Sequence, residues 1–273
     1  MRASLISGNI GRKNLMLGRT FRTTLTRPYI GISLFPVVLA LLFLAATLAQ
    51  ADINVGVVAY YPFNGNANDE SGNGNDGTVN GATLAEDRFG NINSAYSFDG
   101  NDFIDIWSTQ EINDNIDTTQ GSISVWFKLN ARSPGASSFV YQYTTAAGSN
   151  NDRLYLDVGN SGSPGGKLRL GIGDTFRLSD TVVVIGHWYH VVAVWDIDGS
   201  TRIYIDGLLD SVGGFGNPGF EFQESERFYF GRGWTGNVGT YDGLIDDIRI
   251  YNLALSEDEV QEIYDVIFID GFE

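Results

Sequence analysis

From Gly243 to Tyr251 the chain reads GLIDDIRIY, an alternation with a period of two that predicts a β-strand. Leu244, Asp246, Ile248 and Ile250 fall on one face; Ile245, Asp247, Arg249 and Tyr251 fall on the other. One aspartate therefore stands in line with an apolar set, and a buried carboxylate is costly unless a cation or a hydrogen-bond donor pairs with it. The same period recurs upstream. Ile123, Val125, Phe127 and Leu129 alternate with Ser124, Trp126 and Lys128. Alternating runs also occur in SAYSFDG, FIDI, SFVYQY, RLYLDV, KLRLGIG, WYHVVAVWD, TRIYID and ERFYFGR. Asp-Gly pairs at 99–100, 198–199 and 206–207 punctuate them. Aspartate followed by glycine supplies the left-handed backbone that a tight hairpin requires. About eleven to fourteen short strands are expected, the pattern of an antiparallel sandwich of two sheets. One helix is expected at about residues 256–264. Ser256 followed by Glu259 forms a capping box, and Val260, Ile263 and Tyr264 share one face that packs on the sandwich. The acidic first turn, Glu257, Asp258 and Glu259, complements the helix dipole. The apolar end, VIFIDGFE (266–273), is expected to be a tail able to add a strand.

Six segments, in order, resemble a known family. YYPFNGNANDESGNGNDGTVNGA resembles the opening of secreted laminin G-like, concanavalin A-like domains. SAYSFDGNDFIDI, GSISVWFKL, GHWYHVVAVWD, IYIDG and GLIDDIRIYNLALS follow in the family's sequence order. The resemblance runs from about Val57 to Tyr264. It implies an all-β, two-sheet antiparallel jelly-roll sandwich with one short C-terminal helix. It also implies a structural calcium and a role in binding glycans or matrix. It does not single out one ligand, because a fold hosts many functions.

Composition changes the picture at the N-terminus. Residues 1–51 hold six of the 17 basic side chains and none of the 33 acidic ones. An apolar run from about Tyr29 to Leu48 then leads to Ala49-Gln50-Ala51. This is the layout of an export signal, removed before Asp52, with Met16 an alternative start. The run is also about the length that spans a bilayer, but Pro36 interrupts it and small residues end it. The expected organisation is thus a signal peptide over 1–51, one laminin G-like sandwich over 52–265 and the tail. A secreted, extracellular or periplasmic protein is expected. The remaining chain carries 11 basic against 33 acidic side chains, a net charge of −22. That acidity argues against nucleic acid as a partner, and against a membrane once the signal is gone. There is no cysteine. Stability therefore rests on the core, the sheet hydrogen bonds and any bound cation.

The acidic surface suits divalent cations. Asp69, Ser71, Asn73 and Asn75, followed by Asp76, form an oxygen-rich loop with glycines at 72, 74 and 77. Calcium takes six to eight oxygens from such groups. Asn80 stands where an EF-hand has its twelfth-position glutamate, and no helices flank the loop, so that motif is set aside. The expected site joins this loop to Asp246, closing the sandwich end to end. The competing reading is a turn-rich loop whose asparagines cap their own backbone. For a glycan, Trp234 with Tyr241 in the loop GRGWTGNVGTYDG is the first expected aromatic platform and Trp107 the second. The competing reading makes these rings a lid over the core rim. Trp126, Trp188 and Trp195 lie inside alternating runs and are expected to be packed. His187 and His190 are three apart on a strand, so they face opposite sides and do not form a zinc site.

No catalytic pattern appears. A retaining glycosidase of this fold needs paired carboxylates on one strand face, and Asp246 and Asp247 are adjacent, hence expected on opposite faces. There is no G-x-S-x-G nucleophile motif. The expected function is a non-catalytic binding module whose partner is a glycan or an extracellular surface component. A structural adhesion or spacer domain is the first alternative and an atypical glycosidase the second.

Overall fold

In the computed structural model, residues 52–107, 116, 119–132, 137–144, 153–159, 165–173, 175–214, 227–233 and 241–269 are described. Among the described residues fifteen strands, β1 to β15 in chain order, form two antiparallel sheets. The first sheet runs β13 (Leu208–Gly214), β12 (Ser200–Ile205), β11 (Trp188–Trp195), β6 (Gly121–Ala131), β15 (Asp242–Tyr251), β4 (Ala95–Asp99), β3 (Thr83–Ala85). β1 (Val57–Tyr61) also pairs with β15. The second sheet runs β10 (Thr175–Val182), β9 (Lys167–Ile172), β8 (Arg153–Val158), β7 (Ser138–Thr144), β14 (Arg227–Phe230), β5 (Phe103–Trp107), β2 (Thr78–Asn80).

The period-two pattern decides what lies between the sheets. Ile123, Val125, Phe127 and Leu129 of β6 point inward with Val191, Ala193 and Trp195 of β11. They belong to one core with Val140, Leu154, Leu156, Leu168, Leu170, Phe228 and Phe230 of the second sheet. The Asp206-Gly207 hairpin takes the conformation its sequence predicts, with φ of 51° and 78°.

The outer face of the first sheet is also partly covered. A helix, α1 (Glu257–Ile269), lays Val260 and Ile263 on Trp126, Val192, Val194, Tyr204 and Tyr251. Its start is the expected capping box: the Glu259 N–H donates to Ser256 Oγ (3.3 Å), and the Ser256 N–H donates to Glu259 Oε2 (2.8 Å). Its end differs from expectation. The helix runs through Ile269, so Val266–Ile269 extend it and do not form a separate tail or strand. The chain has no helix-breaking glycine or proline between Ser256 and Gly271. Among the described residues no helix is long and apolar enough to cross a membrane. The expected export segment, 1–51, lies outside the described residues, as do residues 270–273.

Candidate binding cleft

The site is built on an irregularity in β15. Residues 242–245 pair with β4, whereas residues 248–251 pair with β1. On its other side β15 pairs with β6, Asp246 opposite Trp126 and Arg249 opposite Ser124. Three steps on β15 thus match two on β6, and the extra residue makes a β-bulge. Asp247 adopts φ of 44°, in the left-handed region. The bulge reverses the parity of the strand, so Ile245, Ile248 and Ile250 all enter the core. This corrects two expectations. Asp246 does not share the core face with Ile248, and Asp246 and Asp247 do not point to opposite sides.

Both carboxylates meet one guanidinium. Arg88, in the loop between β3 and β4, donates from Nη1 to Asp246 Oδ2 (2.5 Å) and from Nη2 to Asp247 Oδ2 (2.8 Å). The Arg88 and Asp246 side chains are 6% and 2% exposed, so the pairing is desolvated and does not behave as a surface salt bridge. The guanidinium also lies 4.4 Å from the Phe89 ring centre and 4.5 Å from that of Trp126. Burial pushes the Asp246 carboxyl well above the usual carboxylate range, with the Asp247 charge adding to it and Arg88 opposing it.

Beside this pairing lies a cleft of about 230 Å³. Its walls are Tyr60 in β1, Pro62 and Asn64 just after it, residues of the 87–94 loop, and Asp246, Asp247 and Arg249 at the bulge. Tyr60 donates from its hydroxyl to Asp247 Oδ1 (3.3 Å), and the Arg249 guanidinium sits 4.1 Å over the Tyr60 ring. Burial first, then Asp247, raises the Tyr60 phenol above its ordinary range. Of the four non-glycine residues with positive φ among the described residues, Asp247 lines this cleft, and Phe63 and Asn93 are chain neighbours of the lining residues Pro62, Asn64 and Ser94. Such conformations cost about 1–3 kcal/mol each and cluster at functional sites.

The expected metal loop is placed elsewhere and satisfies itself. Asp69 Oδ1 accepts N–H bonds from Tyr60 and Ser71, both 2.9 Å. Asp69 Oδ2 accepts from the Asn75 N–H and from Asn75 Nδ2, both 3.0 Å. Ser71 Oγ (3.2 Å), Asn73 Nδ2 (2.9 Å) and Asn75 Nδ2 (3.3 Å) all donate to the Val58 carbonyl. Asp69, Ser71, Asn73 and Asn75 thus act together, but as a fastening of the loop to β1. Asp246 is engaged by Arg88 and not by this loop. A calcium joining the two does not fit that donor set, because a guanidinium already supplies the positive charge at Asp246 and N–H groups occupy both Asp69 oxygens. No group of three or more acidic, histidine or cysteine side chains fit to hold a metal occurs among the described residues.

The aromatic expectations divide. Tyr241 is corrected: it is 0% exposed, its hydroxyl donates to the Leu244 carbonyl (3.0 Å), and its ring meets Phe98 edge-on at 5.9 Å. It is a rim residue of the core and offers no face to a sugar. Trp107 lies in β5, but its side chain, like all of Trp234, falls outside the described residues. Trp126 and Trp195 are packed, as expected.

His190 is also packed. It is fully buried against Trp126 (5.2 Å, stacked), with Nε2 2.8 Å from Ser124 Oγ. Burial, with Arg88 and Arg249 adding, lowers its pKa to about 3. The unfolded chain binds this proton near pH 6.5, so between those values unfolding takes up a proton and stability falls as pH falls. Wild type is expected to lose about 2 kcal/mol more than His190→Gln between pH 7 and pH 5. Urea unfolding of both proteins at the two pH values measures this, and equal losses would rule it out.

The bulge also removes the stated reason against catalysis, since the two carboxylates share one side. Their common guanidinium and the Tyr60 hydroxyl instead occupy the oxygens a proton-transfer pair would use. Sequence reasoning missed Arg88 and Arg249. The spacing of Ile245, Ile248 and Ile250, three then two, was the available sign of the bulge.

The sequence profile of the concanavalin A-like lectin/glucanases superfamily matches residues 98–261, and the chain belongs to that family. Solved structures share the fold at low identity. One is domain 4 of AbnA, a GH43 extracellular arabinanase from Geobacillus stearothermophilus, in complex with arabinotriose. Its TM-score is 0.57 at 20% identity, over 76% of this chain and 98% of that one. The binding domain of Paraclostridial Mosquitocidal Protein 1 gives 0.62 at 16% identity, over 80% and 53%. Botulinum neurotoxin type C, whose cell entry depends on interaction with two ganglioside molecules, gives 0.60 at 16% identity, over 80% and 53%. The chain spans about half the length of those toxin chains. No curated protein matches.

Proposed function

We propose that this chain is a secreted, non-catalytic module that binds glycans outside the cell. The observation that carries this reading is family membership together with a polar, strained cleft on the sandwich surface. Two fold relatives support it: the arabinanase domain holds arabinotriose, and the neurotoxin's entry depends on gangliosides. The cleft offers carboxylate, amide and guanidinium groups, the mixture of acceptors and donors that sugar hydroxyls require. Secretion follows from the basic, apolar and small-residue order of segment 1–51.

A glycan array tests the reading. Protein recovered from the culture medium, expected to begin at Asp52, should bind a chemically related subset of glycans. It should release no sugar from them. Silence across a broad array would favour a spacer role, and released sugar would overturn the non-catalytic part.

A further inference from the structure

The cleft contains an unmet demand. Arg249 is 6% exposed, and its Nε and Nη1 have no hydrogen-bond partner among the described residues. Its guanidinium carbon lies 4.1 Å from the centre of the Tyr60 ring. Leaving buried charged donors unpaired is costly, so an arrangement that holds them so is one that a ligand completes. Opposite stands Asp247, which accepts from Arg88 and Tyr60 at distances of 2.8 and 3.3 Å and retains lone pairs for a further donor. Asn64 is exposed on the wall and contributes both an amide donor and a carbonyl acceptor.

Charge and size restrict the ligand. Asp87, Asp246 and Asp247 outnumber Arg88 and Arg249 in the lining, and the whole chain carries −16. An anionic sugar would meet repulsion from the wall and from the surrounding field. A neutral hydroxyl both donates and accepts, matching Asp247 and Arg249 at once. A cleft of about 230 Å³ falls below the size of pockets that enclose drug-sized ligands, so it admits one ring.

Resting on the glycan-binding reading, we infer that this cleft takes the single terminal residue of an uncharged glycan. The sugar's hydroxyls accept from Arg249 and donate to Asp247, with Asn64 at the edge. One ring of about a dozen heavy atoms gives a Kd on the order of 1 mM.

Saturation-transfer NMR on the mature chain tests this with the methyl glycosides of arabinofuranose, galactose, glucose and mannose. Methyl galacturonate glycoside, as its free acid, and methyl glucosaminide serve as charged probes. At least one neutral glycoside should bind saturably. Affinity should fall at least tenfold in Arg249→Lys, which keeps the charge but loses the forked donors. It should fall at least threefold in Asn64→Ala, a surface change expected to leave the melting curve in place. Tighter binding of a charged probe than of its neutral counterpart would overturn the ligand class. A tenfold gain on lengthening the bound sugar to a trisaccharide with the same terminal residue would overturn the single-ring site. Array hits that neither variant weakens would overturn the site while leaving glycan binding intact. Silence of both array and glycosides would remove the functional reading as well.

Discussion

Replacing Arg88 by alanine is expected to cost about 3–5 kcal/mol, the loss typical when one partner of a buried ionic cluster is removed. Two carboxylates would then share a desolvated corner with no cation between them. For a chain of this size the midpoint of thermal unfolding should fall by roughly 10 °C at pH 7. The cost should shrink on acidification. Without Arg88 the carboxyl at Asp246, already raised, rises further, and a group raised in the folded state stabilises below its unfolded pKa and loses that stability as pH climbs. The variant should therefore lie closer to wild type at pH 4.5 than at pH 7.5. Arg88→Lys should recover only part of the loss, because an ammonium cannot offer two parallel N–H groups to two carboxylates. Scanning calorimetry at the two pH values reads all three results. A variant with the wild-type midpoint would show the cluster to be idle.

The second large effect is expected at Asp69. Asp69→Ala removes the acceptor for three backbone N–H groups and one side-chain amide at once. Unpaired buried donors cost about 1–3 kcal/mol each, and partial access of water to the loop limits the sum to about 3 kcal/mol. The same experiment decides between hydrogen bonds and a cation as the fastening. With the acceptors already saturated, a chelator should leave the wild-type midpoint unchanged. A ligand that binds only the folded state would raise the midpoint by mass action. A midpoint that falls with chelator and returns with calcium would restore the cation to this loop.

The parts of this structure that sequence exposes are those set by neighbours along the chain. Period-two alternation in Ile123–Leu129 has one sandwich solution, and the Asp206-Gly207 turn and the Ser256/Glu259 cap each act over four residues or fewer. The cleft is different. Arg88 and Asp246 are 158 residues apart, and nothing periodic joins them. Their meeting depends on the register of β15 against β6, which the bulge shifts by one residue. Reading the alternation as strict placed Asp246 inward, although Ile245 and Ile248 cannot both be inward in an unbroken strand. Tyr241 misled for another reason. Its glycine-rich surroundings suggest an exposed loop, but composition is blind to Phe98, against which the ring closes the rim.

The division of β15 between β4 and β1 also bears on how the molecule is made. β1 is the first described strand in the chain, yet its sheet partner among the described residues is the last: Val57 pairs with Tyr251. β6 lies between β11 and β15, and its second ladder also waits for β15. Contacts so distant along the chain form slowly, because a long loop must close before they contribute. The hairpins β7–β10 and β11–β13 pair locally, but β1 has to wait for β15. The cleft that β1 and β15 wall together therefore cannot form before both strands are present.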